Sequence, residues 1–381
     1  MSLKNSQKKE RDMDIPVLTV RGSTYEMGLQ QGRAFSEQIH AFSVSRLQRL
    51  QGFVRQYGQA EVTESEVLAI CRDLLPLHAQ YDSLIWEECL GIARGADIEL
   101  PALLLGMGYT DIRDYVCQIK GFDFCQTGAE DEGCTAFLLP PDSVIERRVV
   151  LAQTWDMSTE AMAYLLILKR YPHEGPATVY LTTMGGLGLI GLNDRGLAVG
   201  TTNLIAQDCQ PGVHYLHTIS RALQAGSYAD LRERILSTPR LSGHSFLITD
   251  GLQGAILETS STHSACFELD EDPLVKTNHY SDLMRPYELM MPRVRRLNSM
   301  YRGSRALSLL CSQTVWATDR CWEILADDLR SQCGAAICNE DPTGQYAEFS
   351  TVATCLVDLN AKQLRVCRGG ARTGQVQEIG F

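Results

Sequence analysis

The sequence has no apolar run approaching the roughly 20 residues needed to span a bilayer, so no membrane-crossing helix is expected. It is poor in positive charge: 35 Lys and Arg stand against 46 Asp and Glu, a formal net charge of −11. Binders of nucleic acid or of anionic membranes need basic surface, and that balance argues against both. The opening residues MSLKNSQKKERDMD are charged and polar with no apolar stretch behind them. No secretory leader is therefore expected, and the protein is read as cytoplasmic. Thirteen cysteines occur, an odd number, with no C-x-x-C. Structural zinc needs close Cys or His pairs, so neither a zinc cage nor a disulfide scaffold is indicated, and reduced thiols are expected. H-E-x-x-H and G-x-S-x-G are also missing. Their absence speaks against a zinc protease and lowers a serine-hydrolase reading.

What is present is globular material. The chain has 381 residues, 44% apolar and 21% charged, enough for one large domain or two smaller ones. Residues 1–14 read as a disordered tail and 15–133 as a helix-rich part. Ser23-Thr24-Tyr25-Glu26 has the form of a capping box. Gly28 and Gly32 then fall on one helix face. Each costs about 1 kcal/mol in a helix relative to alanine, so the pair points to a close packing contact. Further helices are expected around 64–94 and 101–116, and the acidic run ending in Gly133 reads as an exposed linker. From Cys134 to residue 381 the texture changes. Short apolar runs alternate with turns such as Asn193-Asp194-Arg195-Gly196, as in antiparallel hairpins. Helical periodicity returns near 214–236, 287–311 and 315–330, and strands near 351–357 and 363–367. This order fits a layered α+β architecture.

Three patterns carry little chemistry. Gly186 to Gly191 matches G-x-G-x-x-G, but a phosphate cradle needs that motif to open a helix, and here a turn and a strand follow. His214 and His217 are spaced to meet on a helix, yet two histidines do not make a metal site, and no metal or cofactor is expected. Arg293-Val294-Arg295-Arg296 reads as a solvated helix face from which one arginine could clamp a carboxylate.

Cys134 stands out. A papain-like thiol begins a helix whose N-terminus favours the thiolate. Thr135 to Leu139 followed by Pro140-Pro141 cannot form that helix. A thiol at the first position of a strand fits better, with its own α-amine as base once the preceding peptide is cut. Gly133 suits such a cut because glycine allows unusual backbone geometry. Three readings stay open on the residues alone: a self-processing enzyme, a papain-like protease pairing Cys134 with His279, and a non-catalytic binding protein.

Five segments in order resemble the acyl-coenzyme A:6-aminopenicillanic acid acyltransferase-like family of N-terminal-nucleophile hydrolases. They are Gly22 to Gly28 with Gly32, Gly133-Cys134-Thr135-Ala136, Gln153-Thr154-Trp155-Asp156, Gly191 to Ala198, and Lys276-Thr277-Asn278-His279. Gln153 stands where bile-salt-hydrolase relatives carry arginine. The resemblance implies a four-layer αββα sandwich and a precursor cut between Gly133 and Cys134. The two products would stay associated as α and β chains, acting on a small amide or acyl thioester. It further implies that Cys134 is the nucleophile, that Asp156 holds its α-amine, and that Asn278 and Asn203 donate to the oxyanion. Arg295 is the implied substrate-binding arginine.

Overall fold

The structure, a computed structural model, describes residues 14–121, 133–289, 292–332, 334–340 and 348–381. The expected tail at 1–14 lies outside them except for Asp14, as does the acidic linker from 122 to 132.

The helix-rich part opens with β1 (Val17–Gly22), followed by α1 (Thr24–Ala34) and α2 (Ser36–Gly58). The expected capping box is formed: the Ser23 side chain accepts the Glu26 N–H while the Glu26 carboxylate accepts the Ser23 N–H. The helix expected over 64–94 is two helices, α3 (Glu64–Tyr81) and α4 (Ser83–Ala96). Asp82 divides them, accepting the N–H groups of Leu84 and Ile85 as the cap of α4. Gly108 likewise separates α5 (Leu100–Met107) from α6 (Tyr109–Ile119).

Gly28 and Gly32 meet a matching pair on α4. A Cβ on Gly28 would lie 2.1 Å from the Glu88 carbonyl, and one on Gly32 would lie 2.3 Å from that of Ile92. Reciprocally, Cβ atoms on Gly91 and Gly95 would lie 2.2 and 2.5 Å from the carbonyls of Tyr25 and Leu29. Four glycines thus bring α1 and α4 into backbone contact.

The remaining strands are β2 (Gly133–Leu139), β3 (Val150–Ser158), β4 (Leu165–Pro172), β5 (Thr178–Thr183), β6 (Ile190–Asn193), β7 (Ala198–Leu204), β8 (Gly243–Thr249), β9 (Gly254–Thr259), β10 (Ser264–Glu268), β11 (Leu274–Lys276), β12 (Phe349–Asp358), β13 (Gln363–Arg368) and β14 (Gln377–Gly380). They form two sheets, ordered β1-β4-β5-β6-β7-β8-β9-β10 and β11-β2-β3-β12-β13-β14. β1 joins the first sheet in parallel, with Val17 opposite Ile167. The helix-rich part therefore supplies an edge strand to the sheet built by the rest of the chain.

The sheets face each other through β2, β3, β12 and β13 on one side and β5, β6 and β7 on the other. Ala136, Leu138, Leu151, Ala198, Leu247 and Cys355 belong to the core between them. On the outside of the first sheet lie α1, with α4 behind it, and α8 (Tyr228–Leu236), which follows α7 (Tyr215–Ala222). Outside the second lies α9 (Arg293–Leu310), with one helical turn at Trp322–Leu325. The layers are αββα, as the resemblance implies. No helix of the described residues is long and apolar enough to cross a membrane. Their cysteines are free thiols.

Two expectations are corrected. The helix expected over 315–330 is a 3-10 turn at Thr318–Cys321 and the single turn after it. Apolar burial stops at Leu325, and Arg305 takes the Asp327 carboxylate with two bonds of 3.1 and 2.6 Å. The helix expected over 214–236 breaks between α7 and α8, where Ser227 caps the second. The glycine run from Gly186 enters β6 and turns into β7 at Gly196, whose φ is +85°.

Candidate active site

β2 and β3 are antiparallel neighbours, with Gly133 opposite Asp156 and Cys134 opposite Trp155. Paired residues point to one face, and faces alternate along a strand. Cys134, Ala136 and Leu138 therefore point between the sheets, while Thr135, Phe137 and Leu139 point toward the α9 layer. Cys134 lines a cavity of about 50 Å³ together with Gln153, Trp155, Asn203, Tyr215 and His244. A second cavity continues from Trp155 and Tyr215 toward Phe42 and Arg46.

β11 brings the next residue into place. It pairs with β2 with Lys276 opposite Ala136, and continuing that antiparallel register carries Asn278 to Cys134. Asn278 Oδ1 accepts the Cys134 backbone N–H at 2.7 Å. Its Nδ2 donates to the Asn203 carbonyl at 3.0 Å, and its backbone N–H donates to Ser299 Oγ at 2.8 Å. The resemblance gave the Cys134 nitrogen to Asp156; in the continuous chain Asn278 holds it. Asp156 lies on the adjacent strand and accepts a bond of 2.6 Å from Thr351 Oγ1. The side-chain oxygen of Asn203 is buried without a hydrogen-bond partner.

From the outer layer, Arg302 reaches Cys134. Its Nη1 donates to the Cys134 carbonyl at 2.5 Å and to Thr135 Oγ1 at 3.0 Å, and Nη2 donates to Asn278 Oδ1 at 3.0 Å. A Cβ on Gly133 would lie 2.8 Å from Nη2, so the approach of this anchored guanidinium requires glycine there. The arginine at Cys134 is thus Arg302, and not Arg295, which stands two turns earlier on the same face of α9. That offset is about 10 Å along the axis. Nothing in the sequence motifs singles out Arg302, which shares the Arg295 face of α9 two turns on.

The Cys134 thiol is 6% exposed. Burial first, then the Asp156 carboxylate, push its pKa up to about 12. The Arg302 guanidinium and the backbone amides of Asp156 and Asn203 pull the other way. Both raising causes favour the protonated sulfur at neutral pH, so any reaction of this thiol would need a base.

A papain-like pairing with His279 is not formed. Cys134 lies in a strand, and His279 Nδ1 faces Ser299 Oγ at 2.8 Å and Thr277 Oγ1 at 3.1 Å. Burial lowers the His279 pKa to about 3.

His214 and His217 meet a third histidine, His78 of α3, with ring nitrogens within 4.8 Å of one another. Hydrogen bonds already engage this cluster. His78 Nδ1 faces the Leu74 carbonyl at 2.9 Å, the His214 backbone N–H donates to His78 Nε2 at 3.2 Å, and His217 Nδ1 faces His214 Nε2 at 3.1 Å. Burial holds all three rings in the neutral form.

The sequence model of the family described as acyl-coenzyme A:6-aminopenicillanic acid acyl-transferase matches residues 145–373. A curated relative, the 40 kDa form of acyl-coenzyme A:6-aminopenicillanic-acid-acyltransferase from Emericella nidulans, is 23% identical over 265 residues. That match spans 69% of this chain and 68% of the relative. Among solved structures, a mutant of conjugated bile acid hydrolase from Clostridium perfringens is similar with a TM-score of 0.41 and 10% identity, over 65% of this chain and 92% of that one. Penicillin V acylase from Agrobacterium tumefaciens is similar with a TM-score of 0.40 and 14% identity, over 65% and 86%.

Proposed function

Because the chain belongs to the acyl-coenzyme A:6-aminopenicillanic acid acyl-transferase family, we propose that it is a self-processing cysteine enzyme that transfers or hydrolyses the acyl group of a small amide or acyl thioester. The observation that carries this reading is the position of Cys134: second residue of a central strand, thiol facing a cavity, backbone N–H and carbonyl both gripped by side chains. The cavity of about 50 Å³ is well below the roughly 300 Å³ of ordinary ligand pockets, so only a small acyl group fits beside Cys134.

Maturation begins with attack of the Cys134 sulfur on the Gly133 carbonyl. The Gly133–Cys134 C–N bond breaks as the nitrogen takes up a proton, leaving Gly133 as a thioester; water then hydrolyses the thioester, and the freed α-amine is the base beside the regenerated thiol. Asn278 Oδ1 is in position to keep that nitrogen oriented, and the Asp156 carboxylate, one strand away, supplies the compensating charge. In turnover the thiol attacks the acyl carbon while the amine takes its proton. The second Nδ2 hydrogen of Asn278 is the proposed oxyanion donor, with Asn203 beside it. Arg295 is retained as a proposed contact for a substrate carboxylate. Water on the acyl-enzyme gives hydrolysis and an amine gives transfer.

The test is intact mass under denaturing conditions after expression, followed by trapping of acyl-enzyme with a panel of amides and acyl thioesters. Two fragments dividing before Cys134 and an acyl group on the second are expected. Cys134→Ala should give one undivided chain that accepts no acyl group. Normal division of that variant would overturn the proposal.

A further inference from the structure

A cavity of about 370 Å³ lies where both sheets end, between β9 and β10 of the first, β11 of the second, and α9. It shares no lining residue with the cavity of Cys134 and has several times its volume. Ile256, Phe267, Leu274, Val275, Met300 and Leu307 form apolar walls. Met300 and Leu307 are 44% and 41% exposed, so the cavity opens to solvent along α9.

Charge tells what would fill it. Lys276 and Glu258 line the cavity as a buried ion pair. Lys276 Nζ also donates to the His279 carbonyl, and Glu258 accepts the Ser281 N–H and hydroxyl. The two charges neutralise each other inside the protein. A third, brought in by a ligand, would lose its water and gain no counter-ion. Asp270, Glu271 and Asp272, exposed on the three residues before Pro273, oppose an anion on the way in, and Lys276 opposes a cation at the floor. His279 lines the same cavity and is neutral, because burial and then Lys276, Arg296 and Arg302 lower its pKa to about 3. Its Nδ1 faces Ser299 and Thr277, and among the described residues its Nε2 makes no hydrogen bond.

Gly303 is a second, independent sign. It lies inside α9, where glycine is less favourable than any residue but proline. Close packing does not demand it: a Cβ there would meet only Thr277, at 3.5 and 3.8 Å, which are ordinary contact distances. A longer side chain at this position would occupy the cavity itself. An apolar cavity of about 150 Å³ is enough to take up benzene, and pockets for small ligands begin at about 300 Å³. We propose that this cavity is a second binding site, for an uncharged apolar molecule with one hydrogen-bonding head, its chain between Phe267, Leu274 and α9 and its head at His279. No bond forms or breaks there, so the site stands apart from the reading of Cys134.

The experiment uses the full-length protein, isotopically labelled at the methionine methyl groups for NMR. The Met300 signal is identified by its loss in Met300→Leu and is followed as n-octanol, octanoate or octylammonium is added at neutral pH. n-Octanol should shift it saturably, and the two charged probes should bind about tenfold more weakly or worse. Gly303→Leu, which carries a side chain into the cavity, should weaken n-octanol binding by about tenfold or more. The absence of a saturable shift in the wild type would overturn the site, and so would wild-type affinity in Gly303→Leu. Equal affinity for all three probes would overturn the uncharged class of ligand. Should Gly303→Leu not fold, Leu307→Trp narrows the mouth from an exposed position, and undiminished n-octanol binding in that variant overturns the proposal. None of these readings involves the thiol: a chain that never divides or never accepts an acyl group removes the reading of Cys134 and leaves the Met300 titration to decide this one.

Discussion

Arg302 binds the carbonyl oxygen of Cys134 through one nitrogen and Asn278 Oδ1 through the other. A helix in the outer layer thereby fixes the Cys134 backbone from behind while the thiol faces the cavity.

Arg302→Lys keeps the positive charge but replaces a planar fork by a point charge. Division before Cys134 should slow by about tenfold to a hundredfold, an amount equal to roughly 1.4–2.8 kcal/mol of barrier. Arg302→Gln should also raise the thiol pKa, because the guanidinium favours the thiolate. Iodoacetamide alkylation of Cys134 followed against pH reads that shift, and an unchanged profile would remove the electrostatic role.

Asp156 acts on the sulfur in the opposite sense. Its carboxylate raises the Cys134 pKa, so Asp156→Asn should lower it and speed alkylation. The same change should slow self-cleavage or acylation by substrate, since the charge facing the new amine is gone. Faster alkylation with full maturation and turnover would show that the carboxylate tunes the thiol and does nothing else.

The glycine contact between α1 and α4 predicts a contrast. Gly28→Ala would drive a methyl group to 2.1 Å from a backbone carbonyl, and overpacking of this kind costs about 1–3 kcal/mol or more. Gly52→Ala in α2 meets nothing within 4 Å and should stabilise by about 0.5–1 kcal/mol through helix propensity. Urea midpoints of the two variants should move in opposite directions.

The histidine cluster makes stability depend on acid. The His78 pKa is lowered to about 4, and those of His214 and His217 fall well below their ordinary value, all chiefly by burial. Above about pH 6.5 neither the folded nor the unfolded rings are charged. Between that pH and about 4 the unfolded chain binds protons that the folded one refuses, so stability falls as pH falls. Asp111 and His244 face this cluster and modulate it. Thermal midpoints across this window should drop steeply for the wild type and less for His78→Gln.

Local patterns in the sequence carry the elements that local physics decides. The capping box at Ser23, the strand at Cys134 cut off from helix by two prolines, and the Asn193 to Gly196 turn all follow from neighbouring residues. Residues at the site come instead from β2, β3, β7, β8, α6, α9 and the segment after β11. Which of three nearby arginines or a fourth further on reaches Cys134 depends on the rotation of α9 against β2, which no local pattern encodes. Asn278 illustrates the same limit. Its nearness to Cys134 follows from the β11–β2 register, but the direction of its amide is set by Arg302 and the Asn203 carbonyl together. The sites of His244 and Asp111 needed the contact of α6 with β8, 133 residues apart in sequence.

The edge strand β1 has a consequence for the lifetime of the protein. In the undivided chain β1 docks onto β4 as part of one tethered polymer, and Gln377 of β14 clasps both backbone groups of Ile15. After a cut before Cys134 the same docking must occur between two separate molecules. The tether's effective concentration, of millimolar order for short flexible connections, is then lost. Heat or denaturant would release the pieces into solution, where reassembly becomes second order and slower at every dilution. Endurance of a divided form would then depend on the rate of escape and on protein concentration.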